Sequence, residues 1–385
     1  MTASSSPSRG MTLAMAAATG LAVASIYYNQ PMLGVMERAM PSSLTALVPM
    51  ATQLGYALGL FALVPLGDLL ERRQLIVWQF VLLAAALALT AIAPGAGIVL
   101  LGSLLIGAAA TVAQQIVPFA AHLAPPERRG AVVGVVMSGL LCGILLSRTL
   151  AGFVADHAGW REMFWLGVPL SLGAGAVMRL LLPYSRPDTQ HSYASLMASL
   201  AHLWREFPAL RLAAFTQALL FGTFSVFWSI LALHLQEPRF NLSAESAGLF
   251  GIVGAVGILA APLAGRFADR HGPHRAILAG TILTLLSWVL FGAWLSLAGL
   301  VVGCILLDFA VQSALVSHQH IVYALRPEAR SRLNTLFMGV MFLGGATGAA
   351  GASAAWVIGG WSAVALFGGL MAAGALTLQV ISARS

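Results

Sequence analysis

Apolar runs long enough to cross a ~30 Å hydrocarbon core, which takes about 20 helical residues, follow one another along the chain with short polar turns between them. On that criterion there are about twelve spans. The expected positions are 11–31, 44–67, 75–93, 98–121, 131–155 and 163–182, then 211–235, 247–268, 276–295, 297–323, 334–358 and 361–381. The first run is too long for a signal-peptide core and is expected to be retained as a span. The longest polar stretch, 183–208, divides two six-span units, 1–182 and 209–385. Within it Tyr193, Leu196, Met197, Leu200, Leu203 and Trp204 recur at helical spacing beside Ser, His and Arg. That pattern predicts a short amphipathic helix on the inner membrane face.

The second unit repeats the first at an offset of 201 positions. Asp68 answers to Asp269, Pro126-Glu127 and Arg129 to Pro327-Glu328 and Arg330, and Gly159-Trp160 to Gly360-Trp361. A period this long does not suit a solenoid. Duplication of a membrane bundle is an established route to a transporter.

Composition agrees with a bilayer. The chain is 59% hydrophobic and 9% charged, against roughly a quarter charged in soluble domains. Its net charge of +7 comes from twenty arginines and no lysine. With a cytoplasmic N-terminus, sixteen of these arginines fall on the cytoplasmic side, Arg38, Arg161 and Arg239 fall outside, and Arg148 falls within a span. Such asymmetry sets orientation, so nucleic acid is not the expected partner of the positive charge. Cys142 and Cys304 lie in apolar runs of different halves and read as small core residues rather than a disulfide framework.

Polar residues inside the spans carry the candidate chemistry. The first run closes on Tyr27-Tyr28-Asn29-Gln30; the tyrosines suit interfacial anchors, but four such residues in a row cover every face of a helix turn. In the fourth span Thr111, Gln114, Gln115, Pro118 and His122 form one helical stripe, suited to helix-helix hydrogen bonding or to a polar cavity. The seventh span places Gln217, Phe221, Phe224 and Trp228 on one face, with Trp228 standing 201 positions after Tyr27. Asp308 is the one acidic residue in mid-span. A carboxylate at that depth costs at least ~2.5 kcal/mol, must be protonated or paired, and is a functional candidate by default. Gln312 and Gln319 share its face, and Asp308, Gln312 and Gln319 correspond to Gly107, Thr111 and Pro118. Both halves therefore present a polar face where a central cavity would lie. For Arg148 three roles are open: snorkelling to the outer interface, binding an anionic group, or pairing with Asp308.

Other chemistries find little support. His318 and His320, two apart on a helix, point about 200° apart and cannot chelate one ion. No HExxH motif and no phosphate-binding loop with its lysine occurs, so neither a metal, an enzyme, a cofactor nor ATP-driven transport is expected.

The turn Gly265-x-x-x-Asp269-Arg270-x-Gly272-x-x-Arg275 resembles the signature loop of the major facilitator superfamily, and Asp68, Arg72 and Arg73 match its first copy in part. Val64, Leu69 and Glu71 stand where that family usually has Gly, a basic residue and Gly. The resemblance covers nearly the whole chain and is nearest to bacterial twelve-helix drug and sugar efflux permeases. It implies an all-α fold of two pseudo-symmetric six-helix bundles, alternating access, and gating at the cytoplasmic side by both turns. Gly130, Gly139 and Gly143 follow the spacing of that family's antiporter motif in helix five. Ile144 replaces its proline, Ser147 and Arg148 replace later glycines, and Ser103 stands where many proton antiporters carry arginine. Arg148 and Asp308 thereby become a candidate replacement charge set.

The expected function is proton-coupled export of a small organic solute, a drug-like amphiphile or a sugar. Asp308 would carry the proton. Tyr27, Tyr28, Asn29, Gln30, Gln114, Gln115, Arg148, Trp228 and Gln312 would line the site, with gating by Asp68, Arg72, Arg73, Gly265, Asp269, Arg270, Gly272 and Arg275. Proton-coupled uptake and uncoupled facilitation are the nearer alternatives; a channel or a membrane-embedded enzyme would be another class. The expected setting is a bacterial inner membrane, with both termini cytoplasmic and a monomer as the working unit.

Overall fold

The computed structural model describes residues 7–187, 192–255, 263, 265–268 and 270–382. Among them every regular element is helical. Ten helical stretches are long and apolar enough to cross a membrane, and the last of these, Pro327–Ser382, breaks at Gly359-Gly360 into two. The shorter apolar helix Ala244–Gly254 begins the eighth span, whose continuation lies largely outside the described residues. The expected plan is thus recovered, with four differences of detail.

The first span does not end at Pro31. It runs Arg9–Ala39, with a short tighter turn at Ser25–Tyr27 and a second helix from Asn29. Pro31 sits in the first turn of that helix, where its missing N–H removes no needed bond. Tyr27 to Gln30 consequently lie in mid-span, all buried, and not at the interface as anchors. The fourth span is likewise two helices, Ala96–Ala110 and Val112–Leu123, with Thr111 between them turning its hydroxyl back onto the carbonyl of Ala108. The eleventh span begins earlier than expected, at Arg330. The linker helix, Tyr193–Glu206, occupies the predicted residues, but its apolar face is covered by protein. Leu200 and Leu203 pack with Val322, Leu333 and Phe337 at the ends of spans ten and eleven on the side of the 183–208 segment (inner, the opposite side being outer), and Arg326 and Arg332 donate to Glu206 and Ser199.

The repeat seen in the sequence is also a repeat of contacts. Gly167 packs on Leu87 and its counterpart Gly368 on Trp288; Gly102 packs on Thr90 and its counterpart Gly303 on Phe291. Gly143 meets the backbone of Gly20, and Gly344 that of Ala218. Small residues let these helices approach backbone to backbone, the usual means of association where lipid supplies no hydrophobic drive. Gly159 and Gly360 both adopt positive φ (125° and 57°) at the outer turn, and the tryptophans that follow, Trp160 and Trp361, are both buried. Between the halves, span five packs on span eight and span two on span eleven, and the repeat exchanges these two interfaces.

The outer ends of the spans are drawn together across the halves. Asp156, at the end of span five, accepts from Ala244 N (3.3 Å) and Glu245 N (2.7 Å), capping span eight. Arg38 donates to Gln236, and Ser353 Oγ donates to the carbonyl of Ala46 at 2.7 Å. Above the Arg38–Gln236 contact lies an outward depression of about 430 Å³ bordered by Glu37 and Glu237. Burial pushes the Glu237 carboxyl up, against the opposing pull of Arg239.

Candidate functional site

Beneath that closed outer end, side chains from four spans converge. Arg148 enters from span five, Tyr27 and Gln30 from span one, Phe224 and Trp228 from span seven, and Asp308 from span ten. The mid-span position of Tyr27 and Gln30 follows from the continuation of span one beyond Pro31. Arg148 and Asp308 are 3% and 5% exposed, so Arg148 does not snorkel.

The guanidinium is held in an aromatic cage. Its carbon lies 3.9 Å from the Trp228 ring centre, 4.6 Å from Tyr27 and 5.6 Å from Phe224. Each such face-on contact is worth about 2 kcal/mol or more when desolvated. Nε donates to Gln30 Oε1 at 2.8 Å, whereas Nη2 is buried without a hydrogen-bond partner among the described residues. Asp308 is close enough to Arg148 for their charges to interact, yet the two form no ion-pair contact. Its Oδ2 accepts a long contact, 3.7 Å, from Cys304 Sγ one helical turn away. Gly254 closes the far side. A Cβ there would come within 2.9 Å of Trp228 and 3.0 Å of Asp308.

The remaining predicted residues divide. Gln114 donates to the hydroxyl of Tyr56 at 3.1 Å, and Tyr56 stacks on Phe342 across the two halves at 4.2 Å. Gln312 is half-buried on the Asp308 helix. Tyr28 instead packs edge-on to Phe164, Asn29 donates to Thr52 Oγ1 at 2.8 Å, and Gln115 donates to the carbonyls of Leu63 and Val64. These three are occupied in holding span one and span four to their own half. Sequence reasoning left out Cys304 and Gly254. Cys304 lies four residues before Asp308, a same-face spacing that could have flagged it; nothing in the sequence places Gly254.

At the inner side the two turns differ. In the first copy Glu71 caps span three, accepting from Arg73 N and Gln74 N, and also accepts from Ser185 N at 3.0 Å. Arg72 and Arg73 reach Ser185 Oγ and the carbonyl of Leu182, each at 3.4 Å. The turn is thereby tied to the end of span six, with Asp68 bordering a crevice beside Ser331 and Arg332. In the second copy Gly272 adopts φ 88°, with its N–H closing on the carbonyl of Ala268 at 2.8 Å, an ending that favours glycine. Among the described residues no atom lies near the Cβ direction of Gly265, and Arg270 and Arg275 are exposed. Asp269 lies outside the described residues.

Comparison with known proteins places this architecture. The chain is 42% identical to the uncharacterized transporter YgaY of Escherichia coli O157:H7 over 369 residues, 95% of this chain and 93% of that one. Multidrug resistance protein MdtG of Salmonella choleraesuis is 29% identical over 220 residues, 54% of this chain and 48% of the other. Among solved structures, a bacterial homolog of the human lysosomal transporter Spinster, inward-facing and unoccupied, superposes with a TM-score of 0.76 at 14% identity, covering 99% of this chain and 96% of that one. The family model of the Major Facilitator Superfamily matches residues 15–259 and again 212–383. Matched along both copies of its repeat, the chain is a multi-pass membrane protein that belongs to the major facilitator superfamily.

Proposed function

We propose that this transporter exports a small organic solute in exchange for protons by alternating access, from a bacterial inner membrane with both termini cytoplasmic. Two bundles, 1–182 and 209–385, rock about the interfaces of span five with eight and span two with eleven; the segment 183–208 joins them, and one chain suffices. Asp308 carries the proton, Arg148 with Tyr27, Gln30 and Trp228 holds the solute, and the two cytoplasmic turns gate.

The observation that carries this reading is the convergence, from both halves, of a buried acid and a buried base that do not touch. A static structural pair would be expected to close, since a buried ion pair is tolerated only with good geometry and satisfied hydrogen bonds. The similarity to MdtG, a multidrug resistance protein, favours export over uptake.

The test is quenching of a pH-sensitive dye in everted vesicles energised by respiration, with a panel of small drugs, sugars and organic acids added to wild type and Asp308→Asn. Solute-dependent collapse of the gradient in wild type alone is expected. Equal collapse in both proteins would make Asp308 structural. Equilibration of labelled solute with no collapse in either would leave a facilitator.

A further inference from the structure

The charges at the centre of the molecule are incompletely satisfied in a complementary way. Arg148 has a buried nitrogen, Nη2, with no partner among the described residues. Asp308 has a carboxylate whose Oδ2 meets a thiol at 3.7 Å, and among the described residues no cation contacts it as an ion pair. Trp228 stands against both, 3.9 Å under the guanidinium and, beside Asp308, next to Gly254, with its indole directed at the Asp308 carboxylate. A donor for an anion and an acceptor for a cation are thus presented side by side along aromatic walls.

We propose that the substrate is a zwitterion, with a carboxylate for Arg148, an ammonium for Asp308 and an apolar body against Trp228 and Phe224. The proposal rests on the transport reading above and narrows it. A solute carrying only a cation would leave the Arg148 charge beside it uncompensated. A solute carrying only an anion would compete with ionised Asp308 for Arg148, so it would bind best with Asp308 protonated and would move in the same direction as the proton. With a zwitterion the ammonium and the proton compete for Asp308. Loading solute then releases the proton, which is the requirement for exchange.

The test uses the purified full chain in detergent and three probes that share one aromatic ring: L-phenylalanine, 2-phenylethylamine and 3-phenylpropanoate. Titration calorimetry is expected to give at least tenfold tighter binding of phenylalanine than of either singly charged probe, since a site with buried polar groups rejects ligands that leave them unpaired. Arg148→Gln should lower phenylalanine to the level of the amine, and Asp308→Asn to that of the propanoate. Wild-type binding of either singly charged probe as tight as phenylalanine, or binding of none of the three, overturns the proposal whether or not the variants fold. The two readings fail separately. A tenfold preference without proton movement in vesicles keeps the zwitterion and removes exchange; proton movement driven only by a singly charged probe does the reverse.

Discussion

The guanidinium of Arg148 stacks on the ring of Trp228 at 3.9 Å, joining span five of the first half to span seven of the second. A lysine at that position keeps the charge but loses the planar face and the forked donors. Arg148→Lys should therefore lower solute-driven proton movement about tenfold, corresponding to about 1.4 kcal/mol of the cation–π contact, while Arg148→Gln abolishes it. Everted vesicles and labelled-solute uptake at matched expression check both.

Gly254 makes a sharper probe of the same site because it carries no chemistry. A methyl there meets Trp228 and Asp308 together, and overpacking of this kind costs about 1–3 kcal/mol. Gly254→Ala should fold, melt a few degrees lower, and raise the KM for solute while Gly173→Ala, exposed on span six with no described atom near its Cβ direction, leaves both unchanged. Thermal unfolding in detergent and transport kinetics separate the two.

Glu71 stands where the family usually has glycine, and the structure gives it two tasks, as the cap of span three and as acceptor for Ser185 N. Loss of such a cap costs about 1 kcal/mol. Glu71→Ala should speed limited proteolysis within 183–192 several-fold, a change read directly on a gel, while Glu127→Ala, in the turn between spans four and five, leaves the rate unaltered.

The contact of Arg38 with Gln236 joins the outer ends of spans one and seven. In a background with exposed Cys142 replaced, Arg38→Cys with Gln236→Cys should cross-link through a short cleavable bismaleimide. Transport should stop on cross-linking and return on cleavage. Continued transport by the linked protein would show that these ends need not part.

Gly272 combines φ 88° with ψ 150°, a region essentially reserved for glycine, where a residue with a Cβ is strained by about 1–3 kcal/mol. Gly272→Ala should lower the melting temperature, and Gly272→Asn should lower it as much, because asparagine tolerates the left-handed helical region but not ψ 150°.

Much of this was legible in the chain. Apolar run length gave the spans, and the 201-residue offset gave the halves, because each helix must satisfy its own backbone in lipid and each copy packs its glycines on matching partners, as Gly167 and Gly368 do. Asp308 and Arg148 stood out because charge in a span is costly. Which polar residues share a site was not legible. Tyr27 and Gln30 reach it while Tyr28 and Asn29 do not, since the tight turn at Ser25–Tyr27 redirects the helix that follows. Pro31 looked like an ending, yet in a first turn it is a beginning. Gly254 depends on how span eight crosses two others, which no local pattern encodes.

Where spans five and eight cross, Gly152 meets the backbone of Ala244, and Gly248 that of Arg148 and Thr149. Interlocked side chains would have to be lifted over one another before the helices could shift. Here glycine lets the two backbones meet, with one side-chain hydrogen bond, from the Thr149 hydroxyl to the carbonyl of Gly248, across the contact, so under the proposed rocking the crossing would serve as a bearing rather than a ratchet. Because Arg148 lies in it, any small rotation there would turn the guanidinium with the helix, so the proposed motion between the halves would be felt at once by the charge at their centre.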